Sequence, residues 1–362
     1  MIEPLRVGLV GAGWVSNPHA EGWLAVNGKA QVVAVADIDL AAANELCRLL
    51  NARAYADYRD MLERERIDAI DICVPPHLHV EIVGAAAAKG IHILCEKPLA
   101  RDMEEAKQIE NQVTAAGITY MPAHNSVFYP TTRAARAYID SGDLGEIYFT
   151  RTTEHYVSVV PRRWRANPLL PPQPDLRDTW RGSKTLLNGG ALMDGGYHAV
   201  YRLLYLTTAQ PVSVIATIAK LRSGVEWEAE DTAAITVRFD DGSLGEALAT
   251  YAFDTLGDGK DRLFALAGHE GVLAGNEHTL FMKPSAWQES ASQCLSPLRG
   301  TAAWRASIAA EIEHFVDCVV NARSAIQSFS DAKAALQVVR AAYESAETGQ
   351  AVTLASAAKD VP

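Results

Sequence analysis

Residues 6–10 (RVGLV) form a short apolar, strand-like run that passes directly into Gly11-Ala12-Gly13-Trp14-Val15-Ser16. Few structures other than a nucleotide-binding turn need a strand ending on two glycines so spaced, with a helix to follow. Gly11 permits the tight turn. Gly13 lets the backbone approach a pyrophosphate, and the next helix offers that anion its free N–H groups and positive dipole end. Trp14 and Val15 complete the turn and are candidates to border the cofactor. Ser16 replaces the third glycine of the pattern, which concerns only the packing of helix on strand.

A second run, 31–36 (QVVAVA), ends at Asp37, 37 − 16 = 21 positions past the motif. A carboxylate there accepts hydrogen bonds from the adenosine ribose hydroxyls and repels a 2′-phosphate. Ile38 and Asp39 supply no arginine to offset that repulsion, so NAD is expected in preference to NADP. The competing reading is a glycine turn and a surface aspartate with no ligand.

Strand-like and helical stretches continue to alternate. Residues 69–74 read as a strand ending at Pro75-Pro76, 80–89 as a helix stopped by Gly90, and 91–95 as a strand. Residues 103–116 read as a helix closed by Gly117, and 118–121 as a strand. Such alternation of near-continuous apolar strands with helices specifies a parallel sheet covered on both faces. The expectation is an α/β Rossmann domain, a doubly wound parallel sheet, over residues 1–124. Residues 125–362 read as an α+β domain with a mostly antiparallel sheet. Its strands are expected at 147–156, 212–221, 233–239, 244–253, 262–267 and 279–282, with a hairpin turn at Asp240-Asp241-Gly242. Residues 161–174 are a proline-rich loop. Near the end, Ile308, Ile312, Phe315 and Val319 recur as one face of a helix, and a second helix runs from Ser330, a candidate N-cap, to Gly349. These C-terminal helices have the option of packing back on the first domain.

A length of 362 residues suits two domains. The charge, 33 − 44 = −11, with no basic run, makes nucleic acid and anionic membranes poor partners. No apolar stretch approaches the ~20 residues of a bilayer span, and no secretory signal is expected. Five scattered cysteines, an odd number without a C-x-x-C pair, favour reduced thiols and a cytoplasmic setting.

Three further segments carry chemistry. Pro75-Pro76-His77-Leu78-His79 and Glu96-Lys97-Pro98 both follow strands, at the carboxyl ends where open α/β sheets bind ligands. Pro75, His79, Glu96 and Lys97 are therefore candidate site residues; the other reading of Glu96-Lys97 is a solvated pair at the sheet edge. Asn188-Gly189-Gly190 leads into Asp194 and His198, spaced i, i+4, which share a face if a helix begins near Ala191. The glycines leave room for another group to approach the backbone. The alternative is a glycine-rich loop entering a core helix, with a structural His198. Arg162, Arg163, Trp164 and Arg165 form a cationic-aromatic cluster, and Trp180 and Arg181 follow. Arg163, Arg165, Trp180 and Arg181 are candidate contacts for a substrate bearing an anionic, uronate-like group, with surface salt bridges or subunit contacts as the other reading. His77 and His79 lack a third ligand, so no metal is expected.

Together these segments resemble the Gfo/Idh/MocA (glucose–fructose oxidoreductase, inositol dehydrogenase, rhizopine catabolism) oxidoreductases. The resemblance rests on the glycine motif, the segment ending at His79, Glu96-Lys97-Pro98 and GGALMDGGYH at 189–198. It extends to EDTAAITVRFDDG at 230–242 and to the closing EIEHFVDCV and YESAETGQAV segments. It implies a Rossmann domain followed by a domain with a large open-faced sheet, and oxidation of a secondary alcohol, or the reverse, on a sugar, inositol or related polyol. It further implies that Lys97 hydrogen-bonds the reacting oxygen, His198 accepts the proton and Asp194 completes the triad. Glu96 would lie near the nicotinamide ribose, and His124-Asn125 would border the nicotinamide. Two other functions within reach of this sequence are an NAD-retaining glycoside hydrolase and a non-catalytic nucleotide sensor; Lys97, Asp194 and His198 argue against the sensor. An open sheet face needs covering, so a homodimer or homotetramer is expected.

Overall fold

The computed structural model describes residues 3–26, 28–155, 180–221, 228–252, 263–284 and 289–354. Its contacts divide the chain into two compact units, Met1–Phe128 with Gly300–Lys333, and Tyr129–Arg299 with Ala334–Pro362.

The first unit opens with β1 (Leu5–Val10), α1 (Ser16–Ala25), β2 (Ala30–Ala36), α2 (Leu40–Leu50), β3 (Arg53–Tyr55) and α3 (Tyr58–Arg64). It continues with β4 (Ala69–Ile72), α4 (His79–Ala87), β5 (His92–Glu96), α5 (Met103–Ala116) and β6 (Tyr120–Ala123). The strands form one parallel sheet in the order β3-β2-β1-β4-β5-β6. This is the doubly wound dinucleotide-binding order, and its connections reverse direction between β1 and β4. The strands are apolar for the reason expected: helices cover both faces, and Val7, Leu9, Ile70, Ile72, Ile93 and Leu94 are fully buried. Each such side chain contributes roughly 1.5–3 kcal/mol. Side chains cap some of these helices. Asp39 accepts the Ala41 and Ala42 N–H groups at the start of α2, and Asp102 accepts that of Glu105 at the start of α5. Gly90 and Gly117, at φ +71° and +63°, follow α4 and α5. β3 and α3 were not anticipated; three residues of strand carry no readable period.

Among the later helices, Gly300–Asn321 completes this core. Its Ile308, Ile312, Phe315 and Val316 bury against Leu9, Trp23 and Val35, and Trp23 meets Phe315 edge to face at 6.2 Å.

The second unit begins with α6 (Pro130–Ser141) and β7 (Ile147–His155). The next described elements are α7 (Lys184–Leu187), α8 (Gly195–Tyr205), β8 (Pro211–Ala219), β9 (Thr232–Phe239) and β10 (Leu244–Thr250). Then come β11 (Phe264–Gly268), β12 (Gly271–Gly275), β13 (Thr279–Pro284) and β14 (Ala291–Cys294). The Gly300–Asn321 helix is α9; α10 (Phe329–Thr348) and β15 (Val352–Thr353) follow. The nine strands order as β14-β13-β12-β11-β7-β10-β9-β8-β15, antiparallel except for β7 with β10. The hairpin turn forms at Asp240-Asp241-Gly242, with Gly242 at φ +88°. Alternation along β9 buries Ala233, Ile235, Val237 and Phe239 and turns Ala234, Thr236 and Arg238 the other way. α8 packs on β7 and β10 on the buried side.

Three expectations need correction. The helix carrying His198 begins at Gly195 rather than near Ala191, because 191–194 form a turn closed by Asp194 N–H to the Gly190 carbonyl. The last helix is capped by Ser328, not Ser330. The Ser328 hydroxyl accepts the Asp331 N–H at 3.1 Å while the Asp331 carboxylate accepts the Ser328 N–H at 2.9 Å. The strand expected over 244–253 ends at Thr250. The loop at 161–174 lies outside the described residues. No helix among the described residues is long and apolar enough to cross a membrane. All five cysteines are free thiols, Cys294 exposed and the rest buried.

Candidate active site

Gly11 adopts φ +98°, and a Cβ placed there would sit 2.4 Å from the Cys73 carbonyl oxygen, so only glycine fits. Gly13 differs: a Cβ there would meet nothing within 4 Å. Open space therefore lies beside the backbone where the motif predicts a pyrophosphate. The first turn of α1 has no side-chain cap, and the buried Ser16 hydroxyl has no partner among the described residues. Its amide groups thus have an anion-ready arrangement. Asp37 fixes this turn to the end of β2: Oδ2 accepts the Ala12 N–H at 2.6 Å, and Oδ1 accepts the Asp39 N–H at 2.7 Å. Beside it Ile38 is 97% exposed, an apolar surface next to the expected ribose site. Trp14 is 67% exposed and stacks on Trp304 at 4.7 Å. These features fit a dinucleotide.

The carboxyl ends of the neighbouring strands carry the other predicted residues of this unit. Pro75 precedes a short 3₁₀ turn, Pro76–Leu78. His79 is fully buried, with Nε2 3.0 Å from the Val74 carbonyl oxygen and Nδ1 3.5 Å from that of Leu99. Burial holds its pKa below the ordinary histidine value. At the end of β5, Glu96 Oε2 accepts the Lys97 N–H at 3.0 Å, and Lys97 is half-buried. After β6, His124 is fully buried. Burial first, and the Lys97 charge second, hold it well below its ordinary pKa, hence neutral. Asn125 donates to the Ser307 hydroxyl at 2.7 Å.

The second unit builds a node around Asp194, the residue before α8. Its Oδ2 accepts the Tyr251 hydroxyl at 2.6 Å and Arg181 Nε at 3.0 Å. Tyr251 also accepts the Gly195 N–H at 2.9 Å, and the Arg181 guanidinium stacks over Trp180 at 4.4 Å. A buried carboxylate is thus neutralised by a guanidinium and oriented by a hydroxyl. His198 follows one turn along the helix. Another turn on, Arg202, buried to 1% exposure, pairs with Glu154 at 3.3 Å.

The loop before Asp194 is clamped. Glu230 Oε1 accepts the Gly190 and Leu192 N–H groups at 3.0 Å each and the Tyr343 hydroxyl at 2.7 Å. Burial raises the pKa of Glu230, an effect these donors oppose. Side chains at Gly189 and Gly190 would collide with the Tyr343 hydroxyl at 2.2 Å and the Glu230 carbonyl oxygen at 2.4 Å. These are the groups for which the glycines leave room. Arg340 donates to the Asn188 carbonyl at 2.9 Å.

Within the first unit the structure gathers Gly11, Gly13, Trp14, Val15, Asp37, Pro75, Glu96, Lys97 and Asn125 at the carboxyl ends of parallel strands or in the turns that follow them. Within the second it gathers Trp180, Arg181 and Asp194, with His198 on α8. Arg162, Arg163, Trp164 and Arg165 lie outside the described residues. Sequence reasoning missed Tyr251, which reads as an ordinary core aromatic. It also left Glu230 and Tyr343 without roles, although both lie in segments that carry the family resemblance.

Two family models cover most of the chain: an oxidoreductase family with an NAD-binding Rossmann fold over residues 5–124, and the C-terminal alpha/beta domain of that oxidoreductase family over 136–354. A levoglucosan dehydrogenase from Pseudarthrobacter phenanthrenivorans is 34% identical across 57% of this chain, a match spanning only about half of that enzyme (52%). An inositol 2-dehydrogenase from Rhizobium meliloti is 26% identical across 97% of this chain and 99% of that one. Among solved structures, a levoglucosan dehydrogenase in complex with NADH and levoglucosan superposes with a TM-score of 0.83 at 26% identity, over 98% of this chain and 100% of that one. The protein is a member of the Gfo/Idh/MocA oxidoreductase family.

Proposed function

We propose that the protein is an NAD-linked dehydrogenase that oxidises a secondary alcohol of a sugar, inositol or related polyol, or reduces the corresponding ketone. Lys97, Asp194 and His198 are its catalytic groups. Bound NAD would supply the hydride acceptor. Gly11, Gly13 and the first turn of α1 would hold its pyrophosphate, and Asp37 its adenosine ribose. Hydride leaves a carbinol carbon more easily as the hydroxyl gives up its proton, and the His198 imidazole takes that proton. The Lys97 ammonium stabilises the negative charge growing on the oxygen. Asp194 holds the start of the His198 helix through the Tyr251 hydroxyl, which accepts the Gly195 N–H, with its own charge balanced by Arg181. The observation that carries this reading is that node: a buried acid, held by two donors, one turn before a histidine at a helix N-terminus.

Asp37 supports NAD over NADP, since a 2′-phosphate would face its carboxylate and the Asp39 carboxylate two residues on. Trp180 and Arg181 border the substrate, and Arg163 and Arg165 contribute contacts to an anionic group on it. A second copy of the chain covers the open sheet face. Arg151, Thr153, Ile215, Thr217, Ala234, Thr236, Glu246 and Leu248 line a shallow depression of about 600 Å³ there. Their one ion pair, Arg151–Glu246, leaves a mostly uncharged surface of the kind that pairs with itself in a two-fold dimer. The free thiols suit a reducing compartment, hence the cytoplasm. The charge of −11 disfavours nucleic acid and anionic membranes as partners.

The test is a panel of sugars, inositols and uronates offered with NAD and with NADP, followed at the reduced-nicotinamide band. Net NADH formation with at least one polyol is expected. Sugar release from glycosides without net NADH would replace this reading with that of an NAD-retaining hydrolase. Nucleotide binding without turnover would leave a sensor.

A further inference from the structure

Beneath the nucleotide-binding turn lies a buried polar cluster that the mechanism above does not use. Asp71 sits within β4, an otherwise apolar strand, and is 0% exposed. Its Oδ2 accepts Trp23 Nε1 at 2.7 Å and faces His19 Nδ1 at 2.9 Å. The other nitrogen of the same ring, His19 Nε2, is 3.2 Å from Glu96 Oε1. Glu96 Oε2 in turn holds the Lys97 N–H. An unbroken path of contacts therefore runs from the centre of the sheet, through one imidazole, to the residue that carries the proposed alkoxide-stabilising ammonium.

We propose that His19 is a positioning residue: clamped between Asp71 and Glu96, it fixes the Glu96–Lys97 end of β5 and thereby sets how the Lys97 ammonium is presented to the reacting oxygen. A neutral ring can donate from only one nitrogen, whereas here each nitrogen faces a carboxylate oxygen. Two donors satisfy both contacts, so the ring is an imidazolium. It also supplies the positive charge that a carboxylate inside a parallel sheet requires. Other titratable groups bear on it. Cys73, from the end of β4, is 3.5 Å from Asp71 Oδ1, and burial pushes its thiol up to about 12. Glu311, from α9, is fully buried, and burial raises its carboxyl well above the ordinary range. Burial disfavours the charged His19, but the Asp71 carboxylate at 2.9 Å opposes this, and the pKa lies well above the ordinary value. His19, Asp71 and Cys73 also have ligand atoms within 4.8 Å of one another. The Trp23 and His19 contacts already engage Asp71 Oδ2, which favours a hydrogen-bonded network over a metal site.

The inference rests on Lys97 acting in the proposed reaction, and the experiment separates the two. His19→Gln, Glu96→Gln and the double variant are compared with Lys97→Met for kcat, KM, NADH affinity by fluorescence, and fold by circular dichroism. If His19 acts through Glu96, His19→Gln lowers kcat about 10- to 100-fold with the alcohol KM changed less than about threefold. The double variant is then no worse than the worse single one. Additive losses, or a folded His19→Gln enzyme with native kcat while Lys97→Met is dead, overturn the inference and leave the reaction intact. A fully active Lys97→Met instead overturns the reading on which it rests. Should His19→Gln fail to fold, the native protein decides. Nitrogen-15 spectra of its ten histidines should retain an imidazolium at pH 8, and Trp23→Phe, which removes one donor to Asp71, should shift that signal. Rings that are all neutral at pH 8 overturn the inference.

Discussion

The two units prepare for chemistry in different ways. The first recognises with its backbone: the glycine turn, the uncapped start of α1 and the ends of parallel strands are set by strand–helix geometry, and side chains such as Asp37 brace them. The second recognises with side chains brought from far apart in sequence. Arg181, Tyr251, Glu230 and Tyr343 converge on one loop and one carboxylate, although 162 positions separate the first from the last. A backbone site depends on a few glycines whose loss cannot be compensated. A side-chain site spreads its cost over many contacts, each removable at moderate expense.

The largest expected effects test whether both units are needed for turnover. Lys97→Met in the first and His198→Asn in the second should each lower kcat by about 10²–10⁴-fold while the protein stays folded, as steady-state kinetics would report. An active His198→Asn enzyme would reduce the second unit to substrate holding and break the comparison. Next come two glycines of one turn. Gly11→Ala forces a side chain into positive φ and against the Cys73 carbonyl, and should cost about 3 kcal/mol or more in denaturant unfolding. Gly13→Ala meets open space and should change stability by less than ~0.5 kcal/mol, yet weaken NADH binding about tenfold. Equal effects of the two would deny that the turn separates folding from recognition. Tyr251→Phe removes a donor to Asp194 and should lower kcat about tenfold, through a loss of roughly 1–3 kcal/mol.

The smallest effect concerns Glu311. Its folded pKa is raised by burial above the ordinary value near 4.5. The folded state therefore keeps a proton that the unfolded chain releases. The stabilisation is complete below about pH 4.5 and declines as pH rises toward the folded value. Glu311→Gln should flatten that decline, matching the native melting temperature at pH 4 and exceeding it by roughly 2–4 °C at pH 8. A variant that melts lower at pH 8 would show an ionised Glu311 contributing to the fold.

The same contrast explains what could be read in advance. The turn at Gly11–Gly13 and the carboxylate at Asp37 were legible because local geometry dictates both their residue types and their spacing. The hairpin at Gly242 was legible for the same reason. The start of α8 was misplaced because Gly195 and Gly196 are poor helix residues. Their reason lies elsewhere in the chain: a side chain at Gly196 would come within 2.6 Å of the Ala249 Cβ. Arg181 reads as a candidate substrate contact from its place shortly before the His198 helix, and the structure adds a partner, Asp194, thirteen residues away, that no local pattern specifies. Asp71 interrupts the apolar run at residues 67–76. A charge at the centre of a parallel strand is the signal that could have exposed the His19 cluster.

The first unit is discontinuous, and this bears on how the polypeptide matures. While the nascent chain emerges from the ribosome, residues 1–128 appear long before α9 is synthesised. Until then Trp23 and its neighbours lack Ile308, Ile312 and Phe315 to cover them. The amino-terminal third must therefore wait, partly uncovered, for the carboxyl-terminal third. A release that truncates translation before residue 300 would yield a sticky fragment rather than a working nucleotide-binding module.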